Sequence, residues 1–325
     1  MGKTIAVLGS GAWGSALACV AARAGHNTRI WGRSAETVNE INSANTNSRY
    51  LDDLALEPSV RATTNLEDAL KKAEIILLSV PTQALSGKLE RIRTLAGDAI
   101  LIATCKGIDR ETGMLPHELI GSSMPESSVA TLSGPSFATD VVSGLPTAVT
   151  IASFDNDIST MLASDLSTCT FRCYTSSDLK GVELGGALKN VLAIAVGAAR
   201  GMKLGASAEA ALIARGFSEL TRLAVALGAK PETLSGLSGL GDLVLTCSST
   251  QSRNFTYGMT MGKGDSLEGL KLAEGAFTAG VALRLARERK IEAPITEAIV
   301  KVLEKEVTAQ EAVRQLLTRP LKREN

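Results

Sequence analysis

Residues 4–25 read TIAVLGSGAWGSALACVAARAG, and this stretch decides the fold. TIAVL is a short apolar run of strand type that passes straight into Gly9, Gly11 and Gly14 at the spacing GxGxxG. The next residues form a helical run of small and apolar side chains that closes on Gly25. A strand entering a glycine loop that opens a helix is a dinucleotide-binding arrangement. The first glycine permits the tight turn, the second lets the backbone approach a pyrophosphate, and the third lets helix and strand pack closely. The helix N-terminus then offers free amides and the positive end of its dipole to the phosphates.

Working outward, a second strand is expected at 28–31, and at its end an NAD-selective protein usually carries Asp or Glu for the ribose hydroxyls. This chain instead reads IWGRS, with Gly32 and Arg33 at that place. No carboxylate repels a 2′-phosphate there, and the Arg33 guanidinium is able to pair with one. NADPH is therefore expected to be accepted at least as well as NADH. The alternative is that Arg33 stacks on the adenine or stands in solvent.

Further β-rich runs at 75–80, 99–104, 129–132 and 148–152, with a short one at 171–174, alternate with helical stretches. That alternation predicts an α/β fold with a doubly wound, mainly parallel sheet. Beyond about residue 179 the pattern becomes helical, at 182–201, 208–227, around 267–275, 278–289, 294–304 and 309–317. Two domains are expected: a nucleotide-binding domain over 1–180 and an all-α domain over 181–325. The tail from Arg319 is expected to fray.

The chain has 325 residues, 45% hydrophobic and 21% charged, with 34 Lys plus Arg balancing 34 Asp plus Glu. Zero net charge provides no global field for nucleic acid or an anionic membrane surface, so neither is an expected partner. The N-terminus turns polar too early for a secretion signal, and the longest apolar run, 191–199, is far shorter than the roughly 17 to 25 residues of a bilayer span. A cytoplasmic protein with no stable membrane association is expected. Five cysteines at irregular spacing and only two histidines, His26 and His117, argue for reduced thiols and against a metal site. Both histidines read as structural.

A nicotinamide enzyme acting on an alcohol or ketone needs a group to give or take the hydroxyl proton, which here leaves Lys, Tyr and carboxylates. In VELGGALKNVLAIAVGAA, Lys189 and Asn190 interrupt an otherwise small and apolar helix. The Lys189 ammonium either snorkels to water or faces a cleft, where burial would lower its pKa toward a useful range. Lys106 in ATCKGI lies just past the expected strand at 99–104. Gly134 and Ser136 in LSGPSFA lie just past the one at 129–132, on the edge where open α/β sheets bind ligands. Asp242 sits in the glycine-rich GLGDLVLTC, and QSRN supplies Ser252, Arg253 and Asn254. Each of these is as readily a cap or a turn as a ligand contact. Lys106, Lys189 and Arg253 together would form a local cationic pocket suited to a small phosphorylated substrate.

GSGAWGSAL, ATCKGI, LSGPSFA, GGALKN, GLGDLVLTC and QSRN, in this order and spacing, resemble the bacterial-type NAD(P)-dependent glycerol-3-phosphate dehydrogenase family across essentially the whole chain. The resemblance implies a Rossmann-type N-terminal domain with a helical C-terminal domain like that of 6-phosphogluconate dehydrogenase. It implies NADP or NAD as cofactor, and reversible hydride transfer to dihydroxyacetone phosphate giving sn-glycerol 3-phosphate for phospholipid synthesis. Relatives are commonly dimers, so a homodimer is expected. Lys189 matches the family's catalytic lysine. Lys106 matches a residue near both cofactor and substrate, and Gly134 and Ser136 match substrate contacts. Asp242 matches a residue near the glycerol hydroxyls, and Ser252, Arg253 and Asn254 match the substrate segment. Gly9, Gly11, Ala12, Trp13, Gly14, Arg33, Lys106, Ala138, Arg253 and Glu274 fall on cofactor positions. Ala12 replaces a serine common among relatives, and Phe255 and Thr256 stand where relatives often continue with basic residues. A β-hydroxyacid or 6-phosphogluconate type dehydrogenase shares this layout but is disfavoured by GLGDLVLTC and QSRN, whereas a non-catalytic redox sensor would not require Lys189 and Asp242. Cys105 and Cys247, near Lys106 and Asp242, raise the option that thiol modification blocks the site, against a space-filling role.

Overall fold

A computed structural model describes residues 2–270 and 273–320. Among these residues eight strands form one sheet: β1 Thr4–Leu8, β2 Asn27–Trp31, β3 Arg61–Thr63, β4 Ile75–Leu78, β5 Ile100–Ala103, β6 Val129–Ser133, β7 Thr147–Ser153 and β8 Phe171–Ser176. Their spatial order is 3-2-1-4-5-6-7-8. The first six are parallel, with Val7 paired to Ile30 on one side and Leu77 on the other. This is the doubly wound dinucleotide-binding order, which places the first glycine loop at the point where strand order reverses.

Helices cover both faces. Those of the sheet half are α1 Ala12–Arg23, α2 Ala35–Ala44, α3 Ser48–Leu51, α4 Leu66–Leu70, α5 Ser86–Arg93, α6 Pro116–Ser123, α7 Ala138–Val142 and α8 Asn156–Leu166. Alternation along β1 divides the core: Ile5 and Val7 pack with Leu17 and Val20 of α1, whereas Ala6 and Leu8 share a second cluster with Leu89, Ile92 and Leu119. Parallel strands buried on both faces are continuous apolar runs, as IILL in β4 is.

Past Ser176 the chain is helical: α9 Leu179–Gly201, α10 Ala206–Ala226, α11 Pro231–Leu234, α12 Asp242–Ser248, α13 Arg253–Lys263, α14 Glu274–Glu288, α15 Pro294–Leu303 and α16 Ala309–Leu317. A π-helical turn, Leu237–Gly241, precedes α12. α9 is long and apolar enough to cross a membrane, but it is the axis of this helical layer, and residues 181–199 are all buried. It packs against α10, α12, α13 and α14.

The crossing of α9 and α13 is backbone on backbone. A Cβ at Gly197 would fall on the Phe255 carbonyl oxygen, and one at Gly258 on that of Ile194; Gly201 and Gly262 repeat the contact a turn away. Gly197→Val is therefore expected to lower unfolding free energy in urea by about 3 kcal/mol, since carbonyls in a packed interior cannot retreat. An unchanged midpoint would refute the close crossing.

Several expectations need correction. β7 pairs antiparallel with β6, and β3 is an additional three-residue strand. α12 and α13 are helices where the sequence pattern placed none. The helix expected around 267–275 does not form over 267–270, which is a turn, and α14 starts only at Glu274; Lys271 and Leu272 lie outside the described residues. Gly264 and Gly269, both at positive φ, punctuate this stretch. Of the tail expected to fray, residues 321–325 also lie outside the described residues. Both histidines are structural: His26 accepts from the Lys3 N–H and donates to the Asp165 carbonyl, and His117 is buried against Glu183 at 2.7 Å.

Candidate active site

The glycine loop is built to receive a phosphate. Gly11 caps α1 without a side-chain hydrogen bond, and the first turn contains no acid, so no side chain competes for its amides. A Cβ at Gly11 would meet nothing within 4 Å, whereas one at Gly9, φ +123°, would lie 2.7 Å from the Ser79 carbonyl oxygen. Trp13 Nε1 is a buried donor with no partner among the described residues. Ala12, Trp13 and Ala138 pack on the same core cluster, which brings the start of α7 beside the loop. Open backbone, free amides and an orphaned donor fit a bound dinucleotide. Arg33 is exposed just beyond β2 and makes no hydrogen bond or ion pair with any described residue.

Opposite the loop, two lysines from different halves of the chain meet on one carboxylate. Lys106, three residues past β5, donates to Asp242 Oδ2 at 2.7 Å and to the Gly134 carbonyl at 3.0 Å. Lys189, near the middle of α9, donates to Asp242 Oδ1 at 2.8 Å and to Thr246 Oγ1 at 2.5 Å. Thr246 in turn donates to Asp242 Oδ1 at 3.3 Å. Lys189 is 5% exposed and Asp242 2%, so the lysine does not snorkel to water. Burial lowers the Lys189 pKa to about 8; the Asp242 charge opposes that shift, and the Lys106 charge adds to it. An amine near 8 is mostly ammonium at neutral pH and gives up its proton far more readily than an ordinary lysine, which suits proton transfer.

The QSRN segment leads into α13. Arg253 is exposed at the first position of α13, and Asn254 Oδ1 accepts from the Gly275 N–H at 2.9 Å. Ser252 is the N-cap, its hydroxyl accepting from Phe255 N–H, and Ser136 donates to the Gly134 carbonyl at 3.1 Å. These two hydroxyls thus have structural bonds. Thr139 donates to Gln251 Oε1 at 2.7 Å, joining α7 to the segment ahead of α13. Glu274 opens α14; burial raises its carboxyl pKa against the opposing charges of Arg253, Lys106 and Lys189.

Sequence reading missed Thr246. Its signal was its place four residues after Asp242, which reaches the same face only if the segment is helical. Asn190 also contributes, donating from Nδ2 to the Lys106 carbonyl at 3.3 Å. The structure favours the space-filling role over the thiol option: burial pushes both Cys105 and Cys247 up to about 12, which favours the thiol over the reactive thiolate. Brief iodoacetamide treatment at neutral pH should leave turnover unchanged, and loss of activity traced to either residue by mass spectrometry would reverse that conclusion.

A phosphate-ready glycine loop together with a buried amine tuned for proton transfer is the equipment of a nicotinamide-dependent oxidoreductase. Comparison with known proteins narrows that class. The family descriptions "NAD-dependent glycerol-3-phosphate dehydrogenase N-terminus" and "C-terminus" match residues 4–159 and 178–314. A curated glycerol-3-phosphate dehydrogenase [NAD(P)+] of Chelativorans sp. (strain BNC1) is 53% identical over 322 residues, covering 99% of this chain and 98% of that one. That of Brucella canis is 51% identical over 326 residues, covering both chains fully. The crystal structure of glycerol-3-phosphate dehydrogenase from Coxiella burnetii superposes with a TM-score of 0.93 at 38% identity, over 98% of this chain and 99% of that one. The chain belongs to the NAD-dependent glycerol-3-phosphate dehydrogenase family.

Proposed function

We propose that the protein interconverts dihydroxyacetone phosphate and sn-glycerol 3-phosphate with NADPH or NADH, and that Lys189 is its proton donor and acceptor. The observation that carries this reading is the Lys189–Asp242–Lys106 array past the end of β5, with Lys189 and Asp242 buried. When bound, the reduced cofactor would supply the hydride to the substrate carbonyl carbon. Lys189 gives its proton to the carbonyl oxygen and recovers it in the reverse direction. Asp242 and Thr246 orient the amine, and Lys106 adds positive charge beside it. Arg253 and Asn254 hold the phosphate at the α13 N-terminus, Gly134 and Ser136 line the substrate side, and Ala138, Arg33 and Glu274 flank the cofactor.

Loss of NADPH absorbance on adding dihydroxyacetone phosphate to purified protein is the test; a wild type that oxidises neither NADPH nor NADH with it would refute the assignment. Arg253→Ala should raise KM for dihydroxyacetone phosphate by about 10- to 100-fold, the worth of a charge-assisted phosphate contact, with a smaller change in kcat. An unchanged KM would move the phosphate elsewhere. The same reading divides the chain at about residue 180 into cofactor and substrate domains, and extends to a cytoplasmic homodimer without stable membrane association.

A further inference from the structure

Gly32, the residue at which β2 leaves the sheet, is buried, and its N–H donates to the Thr63 carbonyl at 3.1 Å. Its φ lies outside the left-handed region, so its backbone does not call for glycine. Space does. A Cβ at position 32 would collide with Ser10 Oγ and lie 2.8 Å from Ser10 Cβ. Rotating the hydroxyl relieves the first contact but not the second, because Cβ moves only with its backbone. That backbone belongs to the glycine loop and is pinned from a third direction: Asn47, fully buried, donates from Nδ2 to the Ser10 carbonyl at 3.0 Å and to Ser15 Oγ at 2.8 Å. Asn47 stands at the N-cap of α3 but makes no side-chain cap there, its amide having gone to the loop.

We propose that Ser10, Gly32 and Asn47 form a steric lock that sets cofactor choice. Ser10, held by Asn47, bars any side chain at 32 and with it the carboxylate that NAD-selective folds place there for the ribose hydroxyls. The ribose 2′ position is left without an acid and within the field of Arg33, so a 2′-phosphate is tolerated. The inference rests on the cofactor reading given under Proposed function. It makes discrimination a property of a glycine-loop serine as well as of the arginine itself: positions 10 and 32 are coupled.

The test is binding of NADPH and NADH to the full-length protein without substrate, read by nicotinamide fluorescence. The variants are Gly32→Asp, Ser10→Gly and the double variant. Gly32→Asp should weaken both cofactors by about tenfold or more, since the loop must shift to admit the side chain. Adding Ser10→Gly should restore NADH to near the Ser10→Gly value, while NADPH stays about 100-fold weaker because a carboxylate now faces the 2′-phosphate. If Gly32→Asp alone binds NADH as tightly as wild type, or the double variant recovers nothing, the lock is refuted. Gly32→Ala adds only the clashing carbon and guards against a misfolded aspartate variant. It should lower the thermal midpoint of the cofactor-free protein, and Ser10→Gly should recover it; a midpoint unchanged by Gly32→Ala would equally refute the lock. Wild type binding neither cofactor would instead refute the cofactor reading, and the cofactor-free midpoints would still decide whether the lock exists.

Discussion

Lys189→Ala should keep its affinity for NADPH and lose about 10²- to 10⁴-fold in kcat for reduction of dihydroxyacetone phosphate, the usual contribution of a positioned acid. Its pH dependence carries the sharper signature. Reduction needs the ammonium, so with a pKa of about 8 the rate should hold at neutral pH and fall as pH rises through 8. Oxidation of glycerol 3-phosphate needs the neutral amine and should rise through the same interval. The two profiles therefore mirror each other about one value, which burial brings down and Asp242 keeps from falling further. Full activity in the alanine variant, or parallel profiles in the two directions, would assign the proton to another group.

Asp242→Ala should be the most damaging single change for the fold of the site. Asp242 accepts from both lysines, at 2.7 and 2.8 Å, from a position 2% exposed. Removing it strands a buried cation, and breaking a buried pair in this way costs about 3–5 kcal/mol. Losing the same carboxylate removes what holds the Lys189 pKa up, so the alkaline limb of the reduction profile should move to lower pH. Urea unfolding and the pH profile test the two consequences separately. Unchanged stability together with an unmoved limb would mean that the aspartate is a bystander.

Much of this organisation was legible because it is local. The glycine loop, the buried strands and the lysine standing alone in the apolar run of α9 are patterns within a few residues. α13 was not legible: its residues include Thr256, Tyr257, Thr260, Gly258 and Gly262, poor helix formers, and it is helical because α9 gives it a surface to pack on. Without that helix the cap made by Ser252 has no visible place, and without α12 the bond from Lys189 to Thr246 has no visible origin. The reversed direction of β7 leaves no local trace either, since alternation of side chains is the same in both directions. The clash between position 32 and Ser10 joins residues 22 apart in the chain, and only the fold brings them together.

The glycine contacts between α9 and α13 bear on selectivity. Flexible side chains at that crossing would let the two helices slide, and the amine of one and the cation at the start of the other would drift with them. Carbonyl against glycine leaves no such play, so the backbones that carry Lys189 and Arg253 are held at a fixed separation. Under the proposed function, molecules whose carbonyl and phosphate match that separation would bridge it, and longer or shorter homologues would satisfy one end only. Substrate length would then be set by the backbone rather than by the side chains at the two ends.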